Sequence, residues 1–262
     1  MVKKLKEWFD LDLAKELSKK ILVVEPKFNS KQFLKEVKTQ IPPLELKPRI
    51  KVFGDAIQSS LPGDYKEQIT TLLKIIGPEN PNETGMFKEY YWILPIAQIV
   101  EDHGLNDHKL SMDALEEITK RSTGEWAIRP YLVKYPKQTE KKMLSWAKHK
   151  NFHVRRLASE GIRINLPWAK KMTQYIDDPN PIIDIITILK NDPSKYVQKS
   201  VANSINDLIK VNQPVAMGLL KKWSKKPSPA CLWIIKHALR NFKKKEDPEA
   251  LKLLRQISLP KK

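Results

Sequence analysis

The chain has 262 residues, 41% hydrophobic and 30% charged, a balance that suits a packed globular fold and excludes a disordered polyelectrolyte. Its single cysteine, Cys231, excludes an internal disulfide and fits a reducing cytosol, the expected location. Forty-eight Lys and Arg against 30 Asp and Glu give a formal charge of +18. A surface this cationic binds polyanions, nucleic acid first among them, unless it is merely a lysine-rich solvated exterior.

Leu5, Trp8, Phe9 and Leu13 form the first apolar stripe at helical spacing, and Leu34, Val37 and Ile41 the next. Lys3, Lys4 and Lys6 are followed by Glu7, Asp10 and Asp12 rather than by an apolar run, so no signal peptide is expected. The longest apolar run, 90–100, is too short for a bilayer and is interrupted by Pro95. Ser122-Thr123-Gly124-Glu125 fits a capping box with the glutamate at N3. The pairs Asp178-Pro179, Asp192-Pro193 and Asp247-Pro248 each read as an N-cap followed by a proline in the first turn. With 8 glycines and no Asn-Gly or Asp-Gly turn, the spacing predicts an all-α chain.

Repetition sharpens this. Val154-Arg155-Arg156-Leu157-Ala158 recurs 43 positions on as Val197-Gln198-Lys199-Ser200-Val201. A looser copy 34 positions further places Ile235, Leu239 and Phe242 where Val201, Ile205 and Leu208 stand. Such periods predict HEAT-like helix pairs stacked into one curved solenoid with a concave basic groove. No Gly/Ser-rich linker divides the chain, so a single domain over 1–262 is expected. The lysine clusters at 243–245 and 261–262 read as solvated ends.

The helix beginning near Phe152 carries Val154, Leu157, Gly161 and Ile164 on its core face, with Arg156, Glu160 and Arg163 on an adjoining one. A carboxylate between two guanidinium groups is held ionised. Lys199, Asn203 and Asp207 share a face in the next copy, as do Trp233, His237 and Asn241 in the third. An ordinary salt-bridged helix surface would give the same spacing. Trp168 follows Pro167 near the end of the first of these helices and either covers the core or edges a groove. His149 and His153 stand at i,i+4 without a third ligand, so neither a metal nor another cofactor is expected. Nucleotide-binding glycine motifs, HExxH and CxxC are absent from the sequence. Cys231 lies in an apolar run and reads as a small core residue.

The segment FHVRRLASEGIRINLPW at 152–168 resembles the hallmark of the AlkC branch of the AlkC/AlkD alkylpurine DNA glycosylases. STGEWAIRP at 122–130, SVANSINDL at 200–208, LELKPRIKVFGDAI at 44–57 and MFKEYYWILPIAQIVEDHG at 86–104 resemble further family segments, in order. At Ile164-Asn165 the chain departs from the proline and basic residue common in relatives. Some relatives carry an appended immunoglobulin-like domain, which is not expected here because no β-rich tail follows the repeats.

The resemblance implies a monomeric DNA-repair hydrolase that removes cationic N-alkylated bases from duplex DNA. The lesions are 3-methyladenine, with 3-methylcytosine and 1-methyladenine as further candidates. By resemblance Glu160, Asp207 and Glu125 are the catalytic acids, and Trp168 is the aromatic beside the lesion. Arg156 and Arg163 contact DNA or orient carboxylates, and Lys199, Trp126, His237 and Arg240 are further DNA-binding candidates. A non-catalytic HEAT-repeat scaffold is the competing reading.

Overall fold

A computed structural model of the chain describes residues 3–85 and 89–258. Among the described residues every regular element is helical, so the fold class is all-α. The start of the 86–104 segment and Lys261-Lys262 lie outside the described residues. The chain divides into two compact units, Met1–Pro136 and Lys137–Lys262.

Unit 1 opens with a 3₁₀ turn, Leu5–Trp8, and continues through α1 (Leu11–Val24), α2 (Ser30–Gln40), α3 (Leu46–Ser60) and α4 (Tyr65–Leu73). A second 3₁₀ turn, Tyr91–Ile93, leads into α5 (Leu94–His103), α6 (His108–Thr119) and α7 (Arg129–Lys134). Polar caps set the starts. Asp10, Asn29, Asp64 and Asp107 each accept a hydrogen bond from a first-turn N–H, a contribution of about 1 kcal/mol apiece. Asp10 therefore splits the first predicted stripe into two elements. In α2 the buried stripe is Phe33, Val37 and Ile41, with Leu34 turned partly to solvent. Pro95 does not interrupt a helix. It sits in the first turn of α5, where its missing N–H costs nothing. The core centres on Phe53, met edge-on by Phe9 at 5.9 Å and Phe33 at 6.2 Å.

Unit 2 holds α8 (Pro136–Trp146), which begins at the boundary, then α9 (Phe152–Gly161), α10 (Gln174–Asp177) and α11 (Asn180–Leu189). The chain goes on through α12 (Lys195–Val211), α13 (Gln213–Ser224), α14 (Pro229–Ala238), α15 (Arg240–Lys244) and α16 (Pro248–Ser258). The repeat is visible in its caps. Asn151, Ser194 and Ser228 cap α9, α12 and α14 with side-chain acceptors, at the same 43- and 34-residue offsets as the apolar pattern. Helix α12 packs against both α9 and α14. Val154 and Leu157, Val201 and Ile205, and Ile234 and Ile235 are all fully buried.

Of the three Asp-Pro signals, only Asp247 caps as expected, accepting from Ala250 N–H at 2.9 Å. Ser194 caps α12 in place of Asp192, whose carboxylate is gripped by Arg155 through Nε at 2.6 Å and Nη2 at 3.1 Å. Asp178 lies one residue before the N-cap of α11, Pro179, and accepts from Asn180 N–H. The third copy of the repeat breaks: α14 ends at Ala238 and α15 begins at Arg240, so Leu239 is buried while Phe242 is only partly so. Cys231 is a buried free thiol. No described helix is long and apolar enough to cross a membrane.

Candidate active site

Helix α9 presents Arg156 and Glu160 on one side of its buried Val154–Leu157–Ala158 face. The helix stops at Gly161, so Arg163 is not its last-turn residue, and Ile164 reaches the core from the following turn. That early stop frees the Arg163 side chain to bridge two elements. Its Nη1 donates to Glu160 Oε1 at 2.6 Å and its Nε to Asp207 Oδ2 at 3.0 Å, while Nη2 reaches the Asn165 carbonyl at 3.3 Å. Arg156 stands 3.5 Å from Glu160 Oε1, its guanidinium 5.0 Å above the Tyr196 ring.

Both carboxylates are buried, Glu160 at 5% and Asp207 at 2% exposure. Ionised groups survive such burial only when paired and hydrogen-bonded. Burial pushes the Glu160 carboxyl upward, but Arg156, Arg163 and the Ser200 hydroxyl together outweigh it and hold it below the ordinary carboxylate range. Ser200 Oγ donates to Glu160 Oε2 at 2.6 Å, and the Ser159 hydroxyl lies 2.6 Å from Ser200. Glu160 thus has strong donors on both oxygens. Asp207 differs. Its Oδ2 takes the Arg163 bond, while Oδ1 meets only Lys210 Nζ at 3.7 Å among the described residues, beyond hydrogen-bond range.

Arg240, at the start of α15, donates to the His237 carbonyl at 2.7 Å and to Asn203 Oδ1 at 2.9 Å. Burial and then the charge of Arg163 lower its pKa, with Asp207 opposing. His237 stacks on Trp233 at 4.7 Å, and its pKa is lowered by burial, then by Arg240 and Lys199. Lys199 is exposed on α12. The arrangement is a pair of anions set into a cationic surround, a combination able to stabilise positive charge beside negative charge.

Trp168 follows Leu166-Pro167 in the turn beyond α9 and adopts φ 58°, the left-handed region that a bulky residue rarely occupies. Its indole is nevertheless 58% exposed, so burial does not compensate the backbone cost.

The remaining predicted residues take other settings. Glu125 lies in unit 1, buried at 5%, in a turn before α7. The capping box is not formed there. Thr123, not Ser122, engages the glutamate, its Oγ1 donating to Glu125 Oε2 at 2.9 Å and accepting from Glu125 N–H. Trp126 is 5% exposed in unit 1, with Lys47 Nζ 5.0 Å from its ring. His149 sits in the turn before α9, its Nδ1 accepting from Asn151 N–H, and does not share a helical face with His153. Sequence reasoning missed the part of Ser200, although its place seven residues before Asp207 puts both on one face of α12.

Residues 122–251 match the family model described as DNA alkylation repair enzyme. The chain belongs to that family, in its AlkC-type alkylpurine DNA glycosylase branch. The uncharacterized protein YhaZ of Bacillus subtilis (strain 168) is 37% identical over 251 residues, which cover 95% of this chain and 67% of that protein. The solved structure of Pseudomonas fluorescens alkylpurine DNA glycosylase AlkC, bound to DNA containing an abasic site analog, is 33% identical with a TM-score of 0.87. The match covers 97% of this chain and 69% of that one.

Proposed function

We propose that the chain is a DNA glycosylase that hydrolyses the N-glycosidic bond of cationic N-alkylated bases in duplex DNA, 3-methyladenine above all. The observation that carries this reading is the pair of buried carboxylates, Glu160 and Asp207, held by Arg163 within a cationic surround. Glu160 would orient arginines in any phosphate-gripping protein, but a carboxylate oxygen with no short donor, as at Asp207 Oδ1, is what stabilisation of a developing cation calls for.

A base alkylated on a ring nitrogen is already a good leaving group and needs no strong general acid. As the C1′–N bond breaks, its electron pair neutralises the base, and positive charge passes to the deoxyribose, as in glycoside hydrolysis. Water then adds at C1′ and loses its proton. Asp207, with Oδ1 lacking a short donor, is the group assigned to the sugar cation or the attacking water. Glu160, with both oxygens engaged, is a positioning residue that orients Arg156 and Arg163. Glu125 is kept as a third acid on the family resemblance. The exposed Trp168 ring offers a cation–π face to the charged base, about 0.5–2 kcal/mol, which vanishes once the neutral base departs. Lys199, Arg240 and Lys210 supply phosphate contacts, and His237 flanks them. The test is incubation of purified protein with methylated duplex DNA and chromatography of the released bases. Release of 3-methyladenine above the uncatalysed rate supports the reading. No release leaves the scaffold reading in its place.

A further inference from the structure

A groove of about 840 Å³ opens in unit 2 on α8, α11 and α13, none of which carries Glu160 or Asp207. Its floor is apolar, formed by Leu144, Ile183, Ile188, Leu219 and Trp223, and Ile188 is 38% exposed. Its rim is cationic, with Lys190, Lys222, Lys225 and Lys226 against one carboxylate, Asp184. Neighbouring Lys221 pairs with Glu249, but neither Lys222 nor Lys226 enters an ion pair among the described residues.

We propose that this groove seats a short acidic peptide segment of another protein, one that inserts apolar side chains between flanking carboxylates. The charge pattern selects that occupant. Apolar side chains lining a concavity of this size, with Ile188 exposed among them, are the usual floor of a binding groove. The rim lysines would steer and hold carboxylates and reject a basic segment. A nucleic-acid strand would satisfy the lysines but leave the aliphatic floor unused. The groove offers no exposed ring on which bases could stack, because Trp223 is only 5% exposed.

The test is fluorescence anisotropy with a labelled synthetic peptide carrying Phe and Ile within a run of aspartates, titrated with the full chain. Saturable binding is expected, weakened about tenfold or more by Ile188→Asp and by Lys222→Glu. Release of 3-methyladenine from methylated DNA should be unchanged in both variants. A peptide with lysines in place of the aspartates should not compete. Independently of the variants, the peptide should shift the Ile188 δ-methyl resonance of the wild-type protein. Absence of that shift, unchanged affinity in both folded variants, or equal displacement by an undamaged duplex oligonucleotide would each overturn the proposal.

Discussion

Arg163 and Asp207 meet through one 3.0 Å hydrogen bond, Nε to Oδ2, made between residues 44 positions apart in sequence. The same guanidinium binds Glu160. One cation therefore fixes two anions that like-charge repulsion would otherwise drive apart. Its own pKa is raised because Glu160 and Asp207 outweigh the opposing effect of burial.

Removing the Glu160 charge should cost stability as well as activity. Glu160→Gln leaves Arg156 and Arg163 facing a neutral amide in a buried setting, and because Arg163 keeps Asp207 the loss should be about 1–3 kcal/mol. Thermal and urea unfolding should show it. A variant as stable as wild type would mean that the pair is held by packing alone.

The same residue sets a pH dependence. Its carboxyl lies below its ordinary value of 4.5 in the folded protein. The stabilisation is thus complete above 4.5 and is lost as pH falls from there through the folded value. Acid unfolding of wild type should steepen in that window relative to Glu160→Gln, which lacks this titration. Ser200→Ala, which deletes the 2.6 Å bond to Oε2, should shift the loss to higher pH. Identical acid profiles for wild type and both variants would contradict the assignment.

Trp168→Gly separates strain from function. Glycine takes φ 58° without a Cβ penalty, and an indole 58% exposed gives up little burial. Relief of that strain offsets up to about 1 kcal/mol of what the ring's own contacts contribute, while excision of 3-methyladenine falls. A clear loss of stability would mean that the ring is a packing element.

Binding to undamaged duplex DNA should weaken steeply with salt, log affinity falling by close to one unit per log unit of salt for each phosphate neutralised. A flat response would reduce the charge of +18 to a solvated exterior.

The helical class, the repeat and most of the core were legible because they rest on local patterns: apolar spacing and capping residues such as Asn151, Ser194 and Ser228. Boundaries decided by competition between neighbours were not. Asp192 has the right residue after it for a cap, but Arg155 from 37 positions away claims its carboxylate and Ser194 takes over the capping. Apolar periodicity carries on through Ile164 and masks the one local stop signal, Gly161 itself, at which α9 ends and Arg163 becomes a bridge. The face of Asp207 could be read from spacing, but its burial could not, since that depends on a guanidinium delivered by another helix pair. Trp168 was conspicuous beside Pro167. Its left-handed backbone is a property of the fold alone.

The central claim is that the Asp207 carboxyl group serves the sugar cation or the attacking water as the damaged base leaves. Single-turnover release of 3-methyladenine by Asp207→Asn, compared with wild type, tests it most directly. The variant should be slower by roughly two to three orders of magnitude, with affinity for abasic-site DNA equal or slightly higher because a negative charge near the phosphates is gone. Release at the wild-type rate by a folded Asp207→Asn protein would contradict it.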